Sequence, residues 1–400
     1  VPQTRPSFAR RLLPRLVLGA LSAVALVGVG AIADGWAAFG SRPRGARQER
    51  VERSPQWGPG GFENPQPVKG EFIRNIRGVL WPSAFVEPDS ALPVDTGLAA
   101  RLALPPASGL RVSWLGHSTL LIEIDGQRYL TDPVWSARTS PVQWAGPKRF
   151  YAPPLAIEAV GPLDGVLISH DHYDHLDIAS IQALAAQGAH FYLPLGVGAH
   201  LEGWGVPLDH IHELDWWDEV ERPGLAGALR LALTPARHAS GRLNPQSNHT
   251  LWGGWALVGP THRAFFSGDT GLFPALDEIG AKYGPFDVTM MESGAYNQAW
   301  PDWHMGPEQA VRAHQMVRGD VMIPIHWGLF NLAAHAWTEP AERVRLEAER
   351  RGVRLSVPKP GGSVEPAALG PLEVWWPAVP IRTAAEDPII SRGVDPEPAR

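Results

Sequence analysis

The stretch SHDHYDHLD, residues 169–177, places three histidines and three aspartates in nine positions, directly after the apolar run Val166-Leu167-Ile168. Imidazole nitrogens and carboxylate oxygens at this density suit a divalent cation such as zinc, bound at about 2.0–2.2 Å. His170 and His172 are two positions apart, and at a turn after a strand such side chains converge on one point. Asp174 and His175 project elsewhere and can serve a second ion. Three more candidate ligands each follow a strand-like run: His238 in LTPARHASGR, Asp269 in FFSGDTG and His326 in IPIHWGLF. Asp269, with Gly268 and Gly271 nearby, has room to bridge two ions. A pair of ions acidifies bound water and neutralises charge on a substrate oxygen, which is hydrolytic chemistry without a Ser or Cys nucleophile. The ligand types do not separate attack on phosphorus from attack on a carbonyl.

Composition narrows the field. The chain has 400 residues and no cysteine, so neither a thiolate ligand nor a disulfide framework is available. Ligands limited to His, Asp and Glu favour zinc, with iron or manganese as the other fitting ions. A hydrophobic fraction of 44% with 19% charged residues describes a globular protein. The net charge of -6 gives no electrostatic reason for a nucleic acid partner.

The elements that must position these residues are legible in outline. Arg5, Arg10, Arg11 and Arg15 precede the uncharged run LVLGALSAVALVGVGAIA at 16–33. Eighteen residues cover about 27 Å as a helix, enough to span a bilayer. Ala31 and Ala33 before Asp34 also fit a signal-cleavage site. Residues 1–38 therefore read as a signal peptide or membrane anchor, which points to the bacterial inner membrane or periplasm. Residues 39–105, rich in Pro, Gly and Arg, read as an extended wrapping segment, and 378–400 as a loosely ordered tail. Between them, 106–377 reads as a catalytic domain. LRVSWLG, TLLIEID and QRYLTDP form a strand meander; DGVLISH is a buried strand followed by the helix IASIQALAAQG. HFYLPL, LRLALTPA, HTLWGGWALVG and RAFFSGD are further strands. The helices PALDEIGAKYG and PEQAVRAHQMV lead to the strands FDVTMM and VMIPIHW, and PAERVRLEAERRG is a last helix. Meanders followed by strands alternating with helices suggest an α/β fold of two packed sheets with helices outside.

The ligand order H-x-H-x-D-H, His, Asp, His resembles that of metallo-β-lactamase fold hydrolases. Over residues 109–330 the stretches WLGHSTLLIEIDGQRYLTDPVWS, GPKRF, LISHDHYDHLD, ELDWW, FSGDTG, YGPFD, GAY and IHWG resemble the N-acylphosphatidylethanolamine-hydrolysing phospholipase D branch. ESGAYNQAW and HMGPEQAV resemble bacterial lactonase-like relatives of that branch. The resemblance implies an αββα sandwich of two mixed sheets and two zinc ions per chain. It assigns His170, His172 and His238 to one ion, Asp174, His175 and His326 to the other, and Asp269 to both. It implies that Asp132 supports the metal loop by hydrogen bonds, that His304 approaches the substrate, and that Asp174, Asp269 and His304 take part in catalysis. The implied reaction is phospholipase D-type cleavage of a phosphodiester in an N-acylphosphatidylethanolamine-type phospholipid at a membrane surface. A lactonase or soluble phosphodiesterase on the same site is the alternative, and a membrane-tethered metal-binding module without turnover is the reading from another class. The missing cysteine and the bridging Asp269 set the chain apart from thiolate-ligand β-lactamases. His172 stands where diiron oxygen-reducing relatives carry an acid.

Other candidates surround this core. His117 in LGHST is a candidate to support the metal loop, its plainer reading being a buried histidine bonded to backbone. Lys148 and Arg149 in GPKRF are candidates for phosphate contact. Trp217 and Trp303, with Trp216, Trp300 and Trp327, are candidates to line an acyl groove. His190, His200, His210, His212, His249, His262, His314 and His335 read as structural.

Overall fold

A computed structural model describes residues 28, 30, 33–68, 82–392 and 394. The arginines at 5–15 and the apolar run 16–33, apart from residues 28, 30 and 33, lie outside the described residues. Among the described residues no helix is long and apolar enough to cross a membrane. In the wrapping segment, α1 (Ala46–Glu52) and the hairpin of β1 (Trp57–Gly58) with β2 (Gly61–Phe62) add short local structure. Val51 and Phe62 anchor it in the core, and Arg47 pairs with Glu213 at 2.9 Å and with Glu202.

After α2 (Leu98–Leu102) the chain builds its first sheet. Strands β3 (Leu110–Gly116), β4 (Thr119–Ile124) and β5 (Gln127–Thr131) form an antiparallel meander. Then β6 (Gly165–Leu167), α3 (Ile178–Ala186), β7 (Phe191–Pro194), α4 (Gly198–Gly203) and β8 (Ile211–Leu214) extend it in parallel. The second sheet repeats this plan. Strands β9 (Glu219–Arg222), β10 (Leu229–Thr234), β11 (Gly254–Val258) and β12 (Arg263–Phe266) are antiparallel. They are followed by α5 (Ala275–Tyr283), β13 (Phe286–Glu292), α6 (Pro307–Met316), β14 (Gly319–Ile325), α7 (Glu339–Arg351) and β15 (Arg354–Leu355), the last three strands joining in parallel. Finally β16 (Ser363–Val364) returns to pair with β3. Each sheet thus has seven strands.

The strands read as continuous apolar runs because both faces are covered: all seven residues of β3 and all six of β4 are buried. Val112, Ile122, Leu231, Trp255, Leu257 and Phe266 belong to one large core. Leu121, Leu130, Val166, Ile181 and Leu184 form a second core that includes α3. The result is the expected metallo-β-lactamase αββα sandwich. Trp114, Trp216, Trp252, Trp255, Trp327 and Trp337 belong to the large core. Trp327 stacks on Trp114 at 5.5 Å and 17°, and on Trp375 at 5.4 Å. The indole of Trp216 donates to the Trp252 carbonyl, and that of Trp300 to Ala295.

In the C-terminal stretch, Ile389 and Ser391 are buried. Ser391 Oγ donates to the Pro301 carbonyl at 2.8 Å, and the Arg392 N–H to Asp302 at 2.9 Å. HTLWGGWALVG forms a strand only over Gly254–Val258. Trp252 ahead of it turns its indole N–H to the Ala236 carbonyl.

Candidate metal centre

Every candidate ligand leaves the same end of the sandwich. Asp132 follows β5, the 169–177 loop follows β6, His238 follows β10, Asp269 follows β12, and His326 follows β14. The turn between β3 and β4 adds His117. Three of these residues hold left-handed backbone: His117 (φ 54°), Asp132 (φ 34°) and His326 (φ 66°). Such conformations are uncommon outside glycine and persist where surrounding structure enforces them. Here they aim side chains into the site. The glycines near Asp269 serve close packing rather than room to bridge. A Cβ on Gly268, at φ +56°, would meet Ser169 Cβ at 2.7 Å, and one on Gly271 would meet the Asp302 carbonyl oxygen at 2.0 Å.

Five imidazoles and two carboxylates converge. Asp269 Oδ2 lies 3.0 Å from His326 Nε2, 3.1 Å from His175 Nε2, 3.8 Å from His238 Nε2 and 3.9 Å from His170 Nε2. Asp174 Oδ2 lies 3.2 Å from His326 Nε2 and 3.3 Å from His175 Nε2. His170, His172 and His238 form one group able to hold an ion. Asp174, His175 and His326 form another, with His117. Asp269 lies between the two.

The far nitrogen of each ring determines what the near one presents. His175 Nδ1 donates to Asp132 Oδ2 at 2.7 Å. His170 Nδ1 donates to Ser169 Oγ at 2.9 Å, and that hydroxyl donates to Asp132 at 2.6 Å. His238 Nδ1 donates to the Trp303 carbonyl at 2.9 Å, and His172 Nε2 to the Pro245 carbonyl at 3.0 Å. With those protons committed outward, lone pairs face inward. His172 Nδ1 stands 2.9 Å from His170 Nε2 and 3.3 Å from His238 Nε2. Two nitrogens on one tetrahedral ion stand about 3.3 Å apart for bonds near 2.05 Å. Asp269 Oδ1 is buried with no hydrogen-bond partner. Opposed lone pairs around a buried carboxylate are costly without a cation, so the donor set fits bound metal.

The local field divides the rings of the metal-free fold into two sets. Burial and the neighbouring imidazoles push His170 well below its ordinary value. Burial does the same to His238 against the pull of Asp269. Burial opposes protonation of His326 as well, but the Asp269 and Asp174 carboxylates outweigh it and raise the metal-free ring to about 10.

Around the centre, His117 Nε2 donates to Asp174 at 2.9 Å, while its carbonyl accepts from the His326 N–H and the Trp114 indole. It therefore supports the loop and serves the backbone at once. His304 lies with Nδ1 3.2 Å from Glu292 Oε2 and 3.8 Å from Asp269 Oδ2, its ring stacked on His326. Burial lowers His304 to about 4 against the charge of Asp269. Glu292, the last residue of β13, was not singled out by sequence reasoning. Its Oε1 accepts from the Met305 N–H at 2.6 Å, and burial beside Asp269 raises its carboxyl well above the usual range. Its signal in the sequence was faint: an acid ending an apolar run, MMESG.

Asp171, between two candidate ligands, is an anchor for the loop. It accepts from the Gly241 N–H at 2.6 Å, Thr250 Oγ1 at 2.9 Å and His200 Nε2 at 3.1 Å. His200 Nδ1 in turn accepts from the Ser41 N–H at 2.9 Å, tying the N-terminal arm to the site. Asp177 caps α3 by accepting from the Ser180 N–H.

The candidates for substrate contact are placed differently. Arg149 is turned inward, donating to the carbonyls of Tyr151 at 2.7 Å and Trp135 at 2.9 Å, so its guanidinium is engaged by backbone. Lys148 is exposed, and its backbone bridges to Arg138. Trp217 stacks on Tyr283 at the end of α5, with the Lys282 ammonium above its ring. Trp303 reaches the centre through its carbonyl, and its own indole Nε1 is buried without a partner. Of Lys148, Arg149, Trp217 and Trp303, it is Trp303 that adjoins the ligands, as His304 does.

Comparison with known proteins gives a consistent picture. The beta-lactamase superfamily domain matches residues 127–327. An uncharacterized protein of Mycobacterium tuberculosis is 47% identical over 332 residues, covering 81% of this chain and 88% of that protein. An N-acyl-phosphatidylethanolamine-hydrolyzing phospholipase D of Caenorhabditis elegans is 35% identical over 266 residues, 64% of this chain and 74% of that enzyme. Among solved structures, a metallo hydrolase of Ignicoccus hospitalis superposes with a TM-score of 0.50 at 24% identity, covering 64% of this chain and 97% of that one.

Proposed function

The chain belongs to the beta-lactamase superfamily and is a metal-dependent hydrolase, and from that premise we propose that it cleaves a phosphodiester in N-acylphosphatidylethanolamine-type phospholipids with two zinc ions. The observation that carries the two-ion reading is Asp269 Oδ2, placed within 3.9 Å of ligand nitrogens from both groups. The lipid reading is supported by the 35% identity to the nematode phospholipase D. His170, His172 and His238 would hold one ion, Asp174, His175 and His326 the other, with Asp269 shared. Such a pair supplies Lewis acidity and an acidified water, as in other two-metal hydrolases.

The chain's own residues supply orientation and proton handling. Asp132 fixes His175 directly and His170 through Ser169, so one buried carboxylate aims a ligand of each group. His117 holds Asp174 from behind. His304, neutral at pH 7 and held at Nδ1 by Glu292, has one nitrogen left to exchange a proton with the departing group. The site lies beside the N-terminal arm, and we place the reaction at a bacterial inner membrane or periplasmic surface.

The test is hydrolysis of N-acylphosphatidylethanolamine in mixed micelles by the full chain, with metal analysis. Release of phosphatidic acid and N-acylethanolamine, lost in Asp269→Asn, is the expected result. Cleavage of water-soluble phosphodiesters or lactones alone would overturn the lipid reading and leave the two-ion reading standing. Two bound ions with no turnover on any ester would overturn the hydrolytic reading itself.

A further inference from the structure

We propose that the face formed by Trp36, Trp144 and Leu243 with Arg42 and Arg44 docks on a lipid bilayer bearing anionic headgroups. Trp36 is 73% exposed, Leu243 77% and Trp144 53%. They are neighbours. Trp36 and Leu243 line one groove of about 780 Å³, and the Trp144 indole donates to Asp34 Oδ2 at 3.0 Å, two residues from Trp36. The backbone of Gly35 lies against Pro141 and Val142, which brings the 141–144 loop to the arm. Large apolar side chains left in water singly are ordinary, whereas two tryptophans and a leucine on one face mark an interaction surface.

The charges on this face select the partner. Arg42 and Arg44 line the same groove, are exposed, and form no ion pair among the described residues. Arg47, one turn further on, differs in being engaged by Glu202 and Glu213. Unpaired cations beside exposed tryptophan, in a chain of net charge -6, are the pattern of a headgroup-level contact. Indole rings rest at the boundary between acyl chains and headgroups, and arginines reach the phosphates.

Continuity of the chain also favours a bilayer over a protein partner. The uncharged run 16–33 leads directly in sequence into Asp34 and Trp36, which belong to this face. The groove is also lined by Asp171, Gly241 and Arg242. Asp171 stands between His170 and His172, so a docked domain would hold its metal loop close to the lipid surface. The inference rests on exposure and charge, and it is independent of whether the centre cleaves phosphodiesters.

The absence of cysteine makes the test clean. The full chain carrying Leu243→Cys is labelled with an environment-sensitive fluorophore and mixed with vesicles of phosphatidylcholine, with or without phosphatidylglycerol. Leu225→Cys, in the exposed turn between β9 and β10 and outside this groove, is the control. An apolar N-terminal run would carry both proteins to vesicles alike, so the comparison reports the docking face alone. The expected result is a blue shift at position 243 on anionic vesicles and none at 225. Arg42→Glu with Arg44→Glu should return the signal to its value on neutral vesicles, with metal content and circular dichroism unchanged. No shift at 243, or equal shifts at both positions, would overturn the proposal. So would a shift that appears without vesicles and grows with protein concentration, because it would assign the face to a second copy of the chain.

Discussion

The ligands of the candidate centre are supported by two different materials. His175, His170 and Asp174 are seated by buried side chains: Asp132, reached by way of Ser169 in the case of His170, and His117. His172 and His238 are seated by the carbonyls of Pro245 and Trp303, which belong to loops. Buried carboxylates and hydroxyls in fixed networks hold geometry more strictly than loop backbone does. The difference teaches that half of the centre is part of the core, while the other half is as ordered as the loops that cover it.

The largest effect is expected where the two halves meet. Asp269→Asn removes the charge shared by both groups and should lower turnover on the order of 10³-fold. Metal analysis should find both ions weakened; loss of only one would show that Asp269 serves a single group.

Removal of metal should also reverse a pH trend. His326 is raised to about 10 in the metal-free fold, burial being outweighed by Asp269 and Asp174. A raised folded value contributes stability that is complete below the ordinary value of 6.5 and lost as pH rises through about 10. The stripped chain should therefore lose stability between those limits. The zinc-loaded chain should gain affinity over the same range, because protons compete with the ion for the rings. Thermal midpoints of both forms check this, and parallel slopes would contradict it.

Asp132→Asn tests the buried support. Loss of an orienting partner of this kind typically weakens metal affinity by about 10–100-fold. Chelator competition should show the larger loss at the His175 group, with a smaller one at the His170 group relayed by Ser169.

His200→Ala tests the loop-held half. Through Asp171 it should weaken the ion held by His170, His172 and His238 by several-fold, and His200→Gln, which can still accept from Ser41 and donate to Asp171, should restore it. A loss equal to that of Asp132→Asn would erase the distinction between the halves.

Arg149→Ala should leave KM for a phosphodiester unchanged and cost stability of about 1 kcal/mol, since it strands part-buried carbonyls that the guanidinium now serves. Urea denaturation and initial rates separate the two effects.

Much of this was legible in the chain. Ligand types and their positions after strands were local facts, as were the meanders and helices, because apolar runs and turn residues report burial directly. Glu292 was not legible, since one acid at the end of an apolar run is an ordinary strand terminus until the fold sets it beside His304. The carbonyls that engage Arg149 were not legible for a related reason: a basic pair in a loop carries no record of which carbonyls lie within reach. The burial of Ile389 and Ser391 was not legible either, because composition does not record which neighbours a residue meets.

The sequence by itself determined the candidate donors, the exclusion of thiolate chemistry and the order in which those residues leave their strands, all of which are properties of neighbouring residues. Only the tertiary structure decided that Asp269 faces both groups and that Asp132 aims a ligand in each. It also decided which tryptophans are core and which stand in water. These are relations between residues tens to hundreds of positions apart, and they exist only once two sheets have packed and brought their strand ends together.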